Sequence, residues 1–444
     1  MSSPSIFPML IFIATIFLVF KHPTIRIPFT SRYVHIDYGL APIIGVIVLF
    51  ATHSIDGNTV IRGILGSDSV KPYSIIILIM ALSYICVSLD FTGLFEYLSL
   101  RVVNASNGYG KTLFVYFFLL TAFLTLFTDN DIVILTMTLI IFYVSKNAGL
   151  DPIPFLFTQF FAVNVLGMAL YIGNPTNIVA ADAYGLSFIE FAKWMFLPSI
   201  SGAVTCLILL WVIFRRRVPK KFKKPTINPN LALKNRDGAL FGSALLAFTI
   251  LFMSLPVSWT GVPIWAVTLI FATVMAFHDL ILYRSNRAIL SRLPWKIVPF
   301  LIGLFIIAEG LASTGWTDLF ASLLSKISGN LAGGIFGIGL LSSIAAGFMN
   351  NHPMTIFFVK AFQSPHFASF GASKLGPTLA LVMGSNLGAN LTLMGALAGI
   401  MWAKILSDKG CYISFSQFSK YGFAVMLPVI TVICSTLMVE LMWA

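Results

Sequence analysis

The chain has 444 residues, of which 58% are hydrophobic and only 10% charged, and its mean hydropathy is +0.92. A soluble domain carries about a quarter of its residues as charges, so a water-soluble enzyme and a disordered chain are both excluded and a polytopic membrane protein remains. The formal net charge of +12 then bears on topology rather than on nucleic acid, because in such a protein the placement of Lys and Arg sets orientation.

Apolar runs that can cross a hydrocarbon core of about 30 Å fall, in chain order, at 4–20, 38–53, 73–90, 112–145, 153–185, 195–214, 239–255, 263–282, 297–313, 333–364, 375–403 and 421–440. The first, Pro4–Phe20, lacks the basic leader and small-residue cleavage site of a signal peptide and reads as a retained span. Runs 112–145 and 333–364 are too long for one crossing. Polar residues interrupt them at Leu126-Phe-Thr-Asp-Asn-Asp-Ile132 and Phe348-Met-Asn-Asn-His-Pro353. Non-helical backbone at membrane depth needs protein or a water-filled cavity around it, which predicts two re-entrant helical hairpins with their tips inside the bundle. Runs 153–185 and 375–403 contain Gly173-Asn-Pro-Thr-Asn177 and Gly384-Ser-Asn-Leu-Gly-Ala-Asn-Leu-Thr392 and are predicted to be broken helices.

With each hairpin returning to its own side, 22 of the 28 basic residues fall on one face, and nine of these lie in loop 215–236. Only Arg62, Lys71, Lys193, Lys326, Lys360 and Lys374 are left opposite. The positive-inside rule makes the basic face cytoplasmic and puts both termini outside. The loop itself reads as topology determinant and linker, with docking of an acidic partner as the alternative.

That linker, 218–236, separates halves 1–217 and 237–444 that share an order of features. Leu89-Asp-Phe-Thr-Gly-Leu-Phe-Glu96 matches Leu311-Ala-Ser-Thr-Gly-Trp-Thr-Asp318, and Phe127-Thr-Asp-Asn130 matches Phe348-Met-Asn-Asn351. A broken helix follows each hairpin. The topology puts the base of the first hairpin in the cytoplasm and that of the second outside, so the halves are predicted to be inverted-topology repeats. This is a secondary-transporter architecture, with its site near the midplane where the halves meet. No enzyme, cofactor or metal centre is expected. Cys86, Cys206, Cys411 and Cys434 fit no metal or disulfide spacing. The phosphate-loop-like stretch Ala105–Thr112 lacks the first glycine and follows no strand.

The breaks supply Asn130, Gly173, Asn174, Thr176, Asn177, Asn350, Asn351, Ser385, Asn386, Asn390 and Thr392. Amides, hydroxyls and helix ends suit a small polyhydroxy solute, or a hard cation held through oxygen. Such clusters are costly in a bilayer and are usually functional, although each residue alone can be a helix breaker or a bond to a neighbouring helix. Asp129 and Asp131 are candidate proton carriers or cation ligands. Like charge and loss of water both penalise an ionised pair, so at least one is expected to hold a proton; the plainer role is to cap the second hairpin arm. His352 joins proton traffic or is a satisfied structural histidine. Asp182 either ends its helix or borders the cavity, and Asp90 and Glu309 read as interfacial.

Phe127–Leu135, Asn174–Phe188, Phe348–Pro353 and Gly384–Asp408 resemble the ion transporter superfamily and, within it, the arsenite/antimonite efflux permeases, the membrane subunit of the arsenical pump. The likeness in pattern runs over nearly the whole chain. It implies an all-α fold with a scaffold and a moving transport domain, elevator-type alternating access, and export of trivalent arsenic or antimony in exchange for protons. It also implies a homodimer and, for some members, a soluble ATPase subunit. The family's Asn-Asp-Gly tip is Asn130-Asp131-Ile132 here, its Cys-Asp is Ser385-Asn386, and its Pro-Lys is Ala389-Asn390. These departures shift the expected site from thiolate coordination towards hydrogen bonding, and the proton carrier towards Asp129 and Asp131. The expected cargo is arsenite, antimonite or a similar neutral oxyacid such as silicic acid. The alternative is a sodium-coupled carboxylate or inorganic-anion transporter of the same superfamily, against which no Arg or Lys lies at any of the four breaks.

Overall fold

The computed structural model describes residues 5–26, 33–66, 70–223, 228–369 and 373–443; the expectations that touch residues 1–4, Arg32 and Lys224 lie outside these. Helices α1 (Ile6–Lys21), α2 (Leu40–Ala51), α3 (Gly57–Leu65), α4 (Pro72–Phe91), α5 (Leu94–Ala105), α6 (Gly110–Phe127), α7 (Asn130–Asn147), α8 (Pro152–Gly167), α9 (Pro175–Ala183) and α10 (Phe188–Phe214) precede the basic loop. After it come α11 (Arg236–Ser254), α12 (Val257–Thr260), α13 (Ile264–Tyr283), α14 (Arg287–Leu290), α15 (Ile297–Ser313), α16 (Trp316–Ile327), α17 (Ile338–Met349), α18 (Asn351–Gln363), α19 (Leu375–Gly388), α20 (Leu397–Asp408) and α21 (Phe415–Trp443). The strands among the described residues form one ribbon, β1 (Thr24–Arg26) antiparallel to β2 (Tyr33–His35).

All four runs are interrupted, but the fourth interruption falls later than expected: Gly384–Gly388 are still helical and close α19, so the chain leaves the helix only over 389–396 and Ser385 and Asn386 act from a helix end. Run 112–145 divides into α6 and α7 at Thr128-Asp129, and run 333–364 into α17 and α18 at Asn350. Run 153–185 becomes α8 and α9 around a 3-10 turn at Tyr171–Gly173, and run 375–403 becomes α19 and α20. Among the described residues α4, α6, α10, α11, α13 and α21 are long and apolar enough to cross a bilayer singly, and α15 with α16, bent by 82°, makes a seventh candidate. The other apolar runs are realised as shorter helices that depend on their neighbours. The chain is an all-α integral membrane protein.

Helices α3, α5 and α16 were not expected from hydropathy. The latter two span twelve residues each, too few to cross, and carry charges such as Glu96, Arg101, Asp318 and Lys326. Their starting points follow from the repeated Thr-Gly. Gly93 and Gly315 take φ of 83° and 84°, the left-handed conformation in which glycine ends a helix without a Cβ penalty. A Cβ on Gly93 would also run into the Ala232 carbonyl, which packs against this corner.

The helices that bear the breaks are packed on one another. α6 lies on α8 and α17 on α19, the hairpin arm α7 meets α20, and the arm α18 meets α9. α10 packs along α21, while α4 lies against α13, and α15 against α2 and α3. Where α8, α20 and α21 meet, the fully buried Trp402 sits among Phe157, Phe160 and Phe418, with ring centroids at 5.6, 5.1 and 5.7 Å. Aromatic pairs of this geometry add about 1 kcal/mol each beyond their buried area.

Candidate functional site

Every break starts a helix whose first amides need acceptors. Asp129 caps α7, its Oδ1 accepting from the Asp131 N–H at 3.0 Å. Asn174 caps α9, its Oδ1 accepting from the Thr176 N–H at 3.0 Å and the Thr176 hydroxyl at 2.9 Å. Asn350 caps α18, its Oδ1 accepting from the His352 N–H at 3.2 Å. Its φ of 73° with ψ of 144° lies outside the left-handed helical region, in a conformation that glycine adopts freely and other residues rarely. Helix α20 begins after Ala396 with no side-chain cap. Four helix N-termini, each with partial positive charge, thus open at the polar breaks.

The broken helices of the two halves bond to each other. Asn174 Nδ2 donates to Asn386 Oδ1 at 2.9 Å, and Asn386 Nδ2 donates to Asn177 Oδ1 at 2.7 Å. The hydroxyls of Thr176 and Ser385 are 2.5 Å apart. Asn177 Nδ2 donates to the carbonyls of Gly167 and Leu170 at 2.7 and 3.0 Å, which satisfies the frayed end of α8. Gly173 is required by this close approach, since a Cβ there would strike the Gly167 carbonyl. All of these side chains are fully buried.

The first tip joins a second network. Asn130 Nδ2 donates to Asn164 Oδ1 at 3.2 Å, and Asn164 Nδ2 donates to Asn390 Oδ1 at 2.8 Å. Asn164 was missed from sequence because it sits within α8, ahead of the Gly173–Asn177 break; its signal was a lone amide within the apolar stretch Phe160–Leu166. Asp129 and Asp131 flank Asn130 and are half-buried. Among the described residues nothing donates a hydrogen bond to the Asp131 carboxylate, whereas Asp129 is engaged as a cap.

The second tip is placed differently. The Asn351 N–H donates to the Gly395 carbonyl at 3.0 Å, so tip and second break touch through the backbone. Asn350 Nδ2, Asn351 Oδ1 and His352 Nε2 are buried without partners among the described residues, and the His352 ring lies edge-on to Phe300 at 5.6 Å. Thr392 ties its loop to α17 by donating to the Gly347 carbonyl and takes no part in either amide network. The predicted residues are therefore brought together in two networks plus one adjoining tip. No Lys or Arg side chain bonds into any of them among the described residues.

A family model described as citrate transporter (CitMHS) matches residues 7–375. The chain belongs to this family. Within reach of this citrate transporter family member, the arsenical pump membrane protein of Escherichia coli is 28% identical over 373 residues, 82% of this chain and 85% of its own. The arsenical pump membrane protein of Yersinia enterocolitica matches to the same extent, and a transporter of Synechocystis is 25% identical over 95% of this chain and 94% of its own. Among solved structures, the YdaH transporter of Alcanivorax borkumensis superimposes with a TM-score of 0.61 over 99% of this chain and 97% of its own at 12% identity, a likeness of fold. The resemblance read from the tips and breaks is borne out, and the chain is a membrane transporter of the ion transporter superfamily.

Proposed function

We propose that this transporter exports arsenite, antimonite or a similar small neutral oxyacid in exchange for protons. The observation that carries the reading is the uncharged network of Asn174, Thr176, Asn177, Ser385 and Asn386, beside an amide triad flanked by two carboxylates. A neutral solute rich in hydroxyl groups needs donors and acceptors in pairs and no counter-charge. Citrate or another polyanion would have to be met by the helix N-termini alone, with no Arg or Lys to neutralise its several charges. Relatives named for the arsenical pump favour the same cargo over the carboxylate named in the family description.

In this reading Asn130, Gly173, Asn174, Thr176, Asn177, Asn350, Asn351, Ser385, Asn386, Asn390 and Thr392 form the solute site, and Asp129, Asp131 and His352 serve proton coupling. Residues 1–217 and 237–444 act as inverted repeats joined by the cytoplasmic linker 218–236, with both termini outside. The hairpins and broken helices move together against a scaffold. The reciprocal packing of α7 on α20 and α18 on α9 supports this grouping. The test is uptake by proteoliposomes supplied separately with trivalent arsenic, silicic acid, citrate and sodium, each with and without a pH gradient. Arsenite movement that follows the pH gradient is expected; citrate movement that follows sodium, with arsenite inert, would overturn the proposal.

A further inference from the structure

Resting on that solute-site reading, we infer that Asn164 is a positioning residue, which holds the first tip in register with the break of the opposite half. It lies on α8, in the first half, yet its Nδ2 donates to Asn390 Oδ1 of the second half at 2.8 Å and to the Phe160 carbonyl at 3.2 Å. Its Oδ1 accepts from Asn130 at 3.2 Å. Both amide protons and one carbonyl lone pair are thus used, inside a residue with no exposed surface. A lone buried amide in an apolar helix usually closes one bond to a neighbour; this one closes two, to partners on two different polar breaks.

What the triad leaves open points to a ligand. Asn130 Oδ1 is buried and has no donor among the described residues, although it sits between Asp129 and Asp131. Because Asn164 takes up the Asn130 amide group, the side chain is oriented with its carbonyl oxygen free, as an acceptor for a hydroxyl. Without Asn164 the Asn130 amide is free to turn, and Asn390 Oδ1 loses its donor. Asn164 thereby fixes which group the tip presents to a hydroxylated solute, and it links that choice to the position of the second break.

The control lies on the same helix. Gln159 is also fully buried, but it bonds to Thr138 and the Ile134 carbonyl on α7, away from the breaks. In proteoliposomes that transport arsenite, Asn164→Leu is expected to raise KM on the order of tenfold, the worth of about one well-made hydrogen bond, with maximal rate held within about twofold. Gln159→Leu is expected to lower thermal stability and leave KM unmoved. Asn164→Ser, which keeps a short donor and acceptor, serves the same comparison if Asn164→Leu does not fold. Asn130→Ala and Asn164→Ala together should raise KM no further than either alone. An unchanged KM in the Asn164 variants, an equal rise in Gln159→Leu, or full additivity would overturn the inference. If the wild-type protein moves no arsenite, the solute reading fails instead. The melting temperatures of the Asn130→Ala, Asn164→Ala and double variants in detergent then decide the inference alone: non-additive losses support the positioning and additive losses end it.

Discussion

Asp129 and Asp131 sit one residue apart, yet their surroundings give them different duties. The Asp129 carboxylate holds the first turn of α7, while that of Asp131 receives no hydrogen bond from the described residues. Asn is as good a cap as Asp, so Asp129→Asn should fold normally and lose only its share of proton coupling, whereas Asp129→Ala should also lose about 1 kcal/mol of stability. Asp131→Asn should fold and bind solute but stop responding to an imposed pH gradient. Arsenite flux with and without the gradient, read beside melting curves, separates the two roles. Gradient-driven accumulation by Asp131→Asn would remove that residue from the proton path. These acids were legible in the sequence because charges within an apolar run are conspicuous. Asp279 was not singled out: it is a single acid near the end of α13, and what makes it tolerable is remote. Its Oδ2 accepts from Ser88 at 2.7 Å and Tyr84 at 3.1 Å, residues 191 and 195 positions earlier in the chain. No local pattern announces such a pairing.

At the scale of elements, the breaks were legible, because each places polar residues inside an apolar run, whereas the two Thr-Gly stretches showed only as a match between the halves and not as corners. The short helices behind the corners were not legible, since a twelve-residue amphipathic segment has no hydropathy signature of its own. Glu309 shows the same limit. It reads as interfacial, but α15 carries it against α18, where it pairs with Lys360; the two side chains are only 13% and 11% exposed. An ion pair this dry contributes little net stability, whereas removing one partner strands a desolvated charge. Glu309→Gln and Lys360→Met should therefore each cost about 3 kcal/mol, and the double variant should be more stable than either. A double-mutant cycle on melting in detergent measures the difference. Small losses that simply add in the double variant would mean that the pair is solvated in the membrane-embedded protein. Because α18 is a hairpin arm and α15 belongs to the proposed scaffold, the same variants also report on a contact that the proposed movement against the scaffold would have to break.

For the whole molecule, the order of hairpin and broken helix in each half foretold that polar breaks would converge, but not which break would meet which. Spacing along the chain cannot say that Thr176 faces Ser385, or that Asn164 joins the first tip to the second break; those pairings come from the way α8 and α19 are packed between the other helices. The Thr176 and Ser385 hydroxyls, 2.5 Å apart and 209 positions apart in sequence, make the convergence testable. In a variant whose four native cysteines are replaced, Thr176→Cys with Ser385→Cys places two sulfurs where they can bond at about 2 Å. With a protease site inserted in the linker 218–236, the cut chain should run as two fragments on a denaturing gel when reduced, and as one band after mild oxidation. Oxidation should also stop arsenite transport and reduction restore it, because the proposed solute site includes both bonded residues. Failure of the fragments to cross-link in a folded, transporting protein would mean that the two halves do not meet at these breaks, and a solute site shared between them would have to be abandoned.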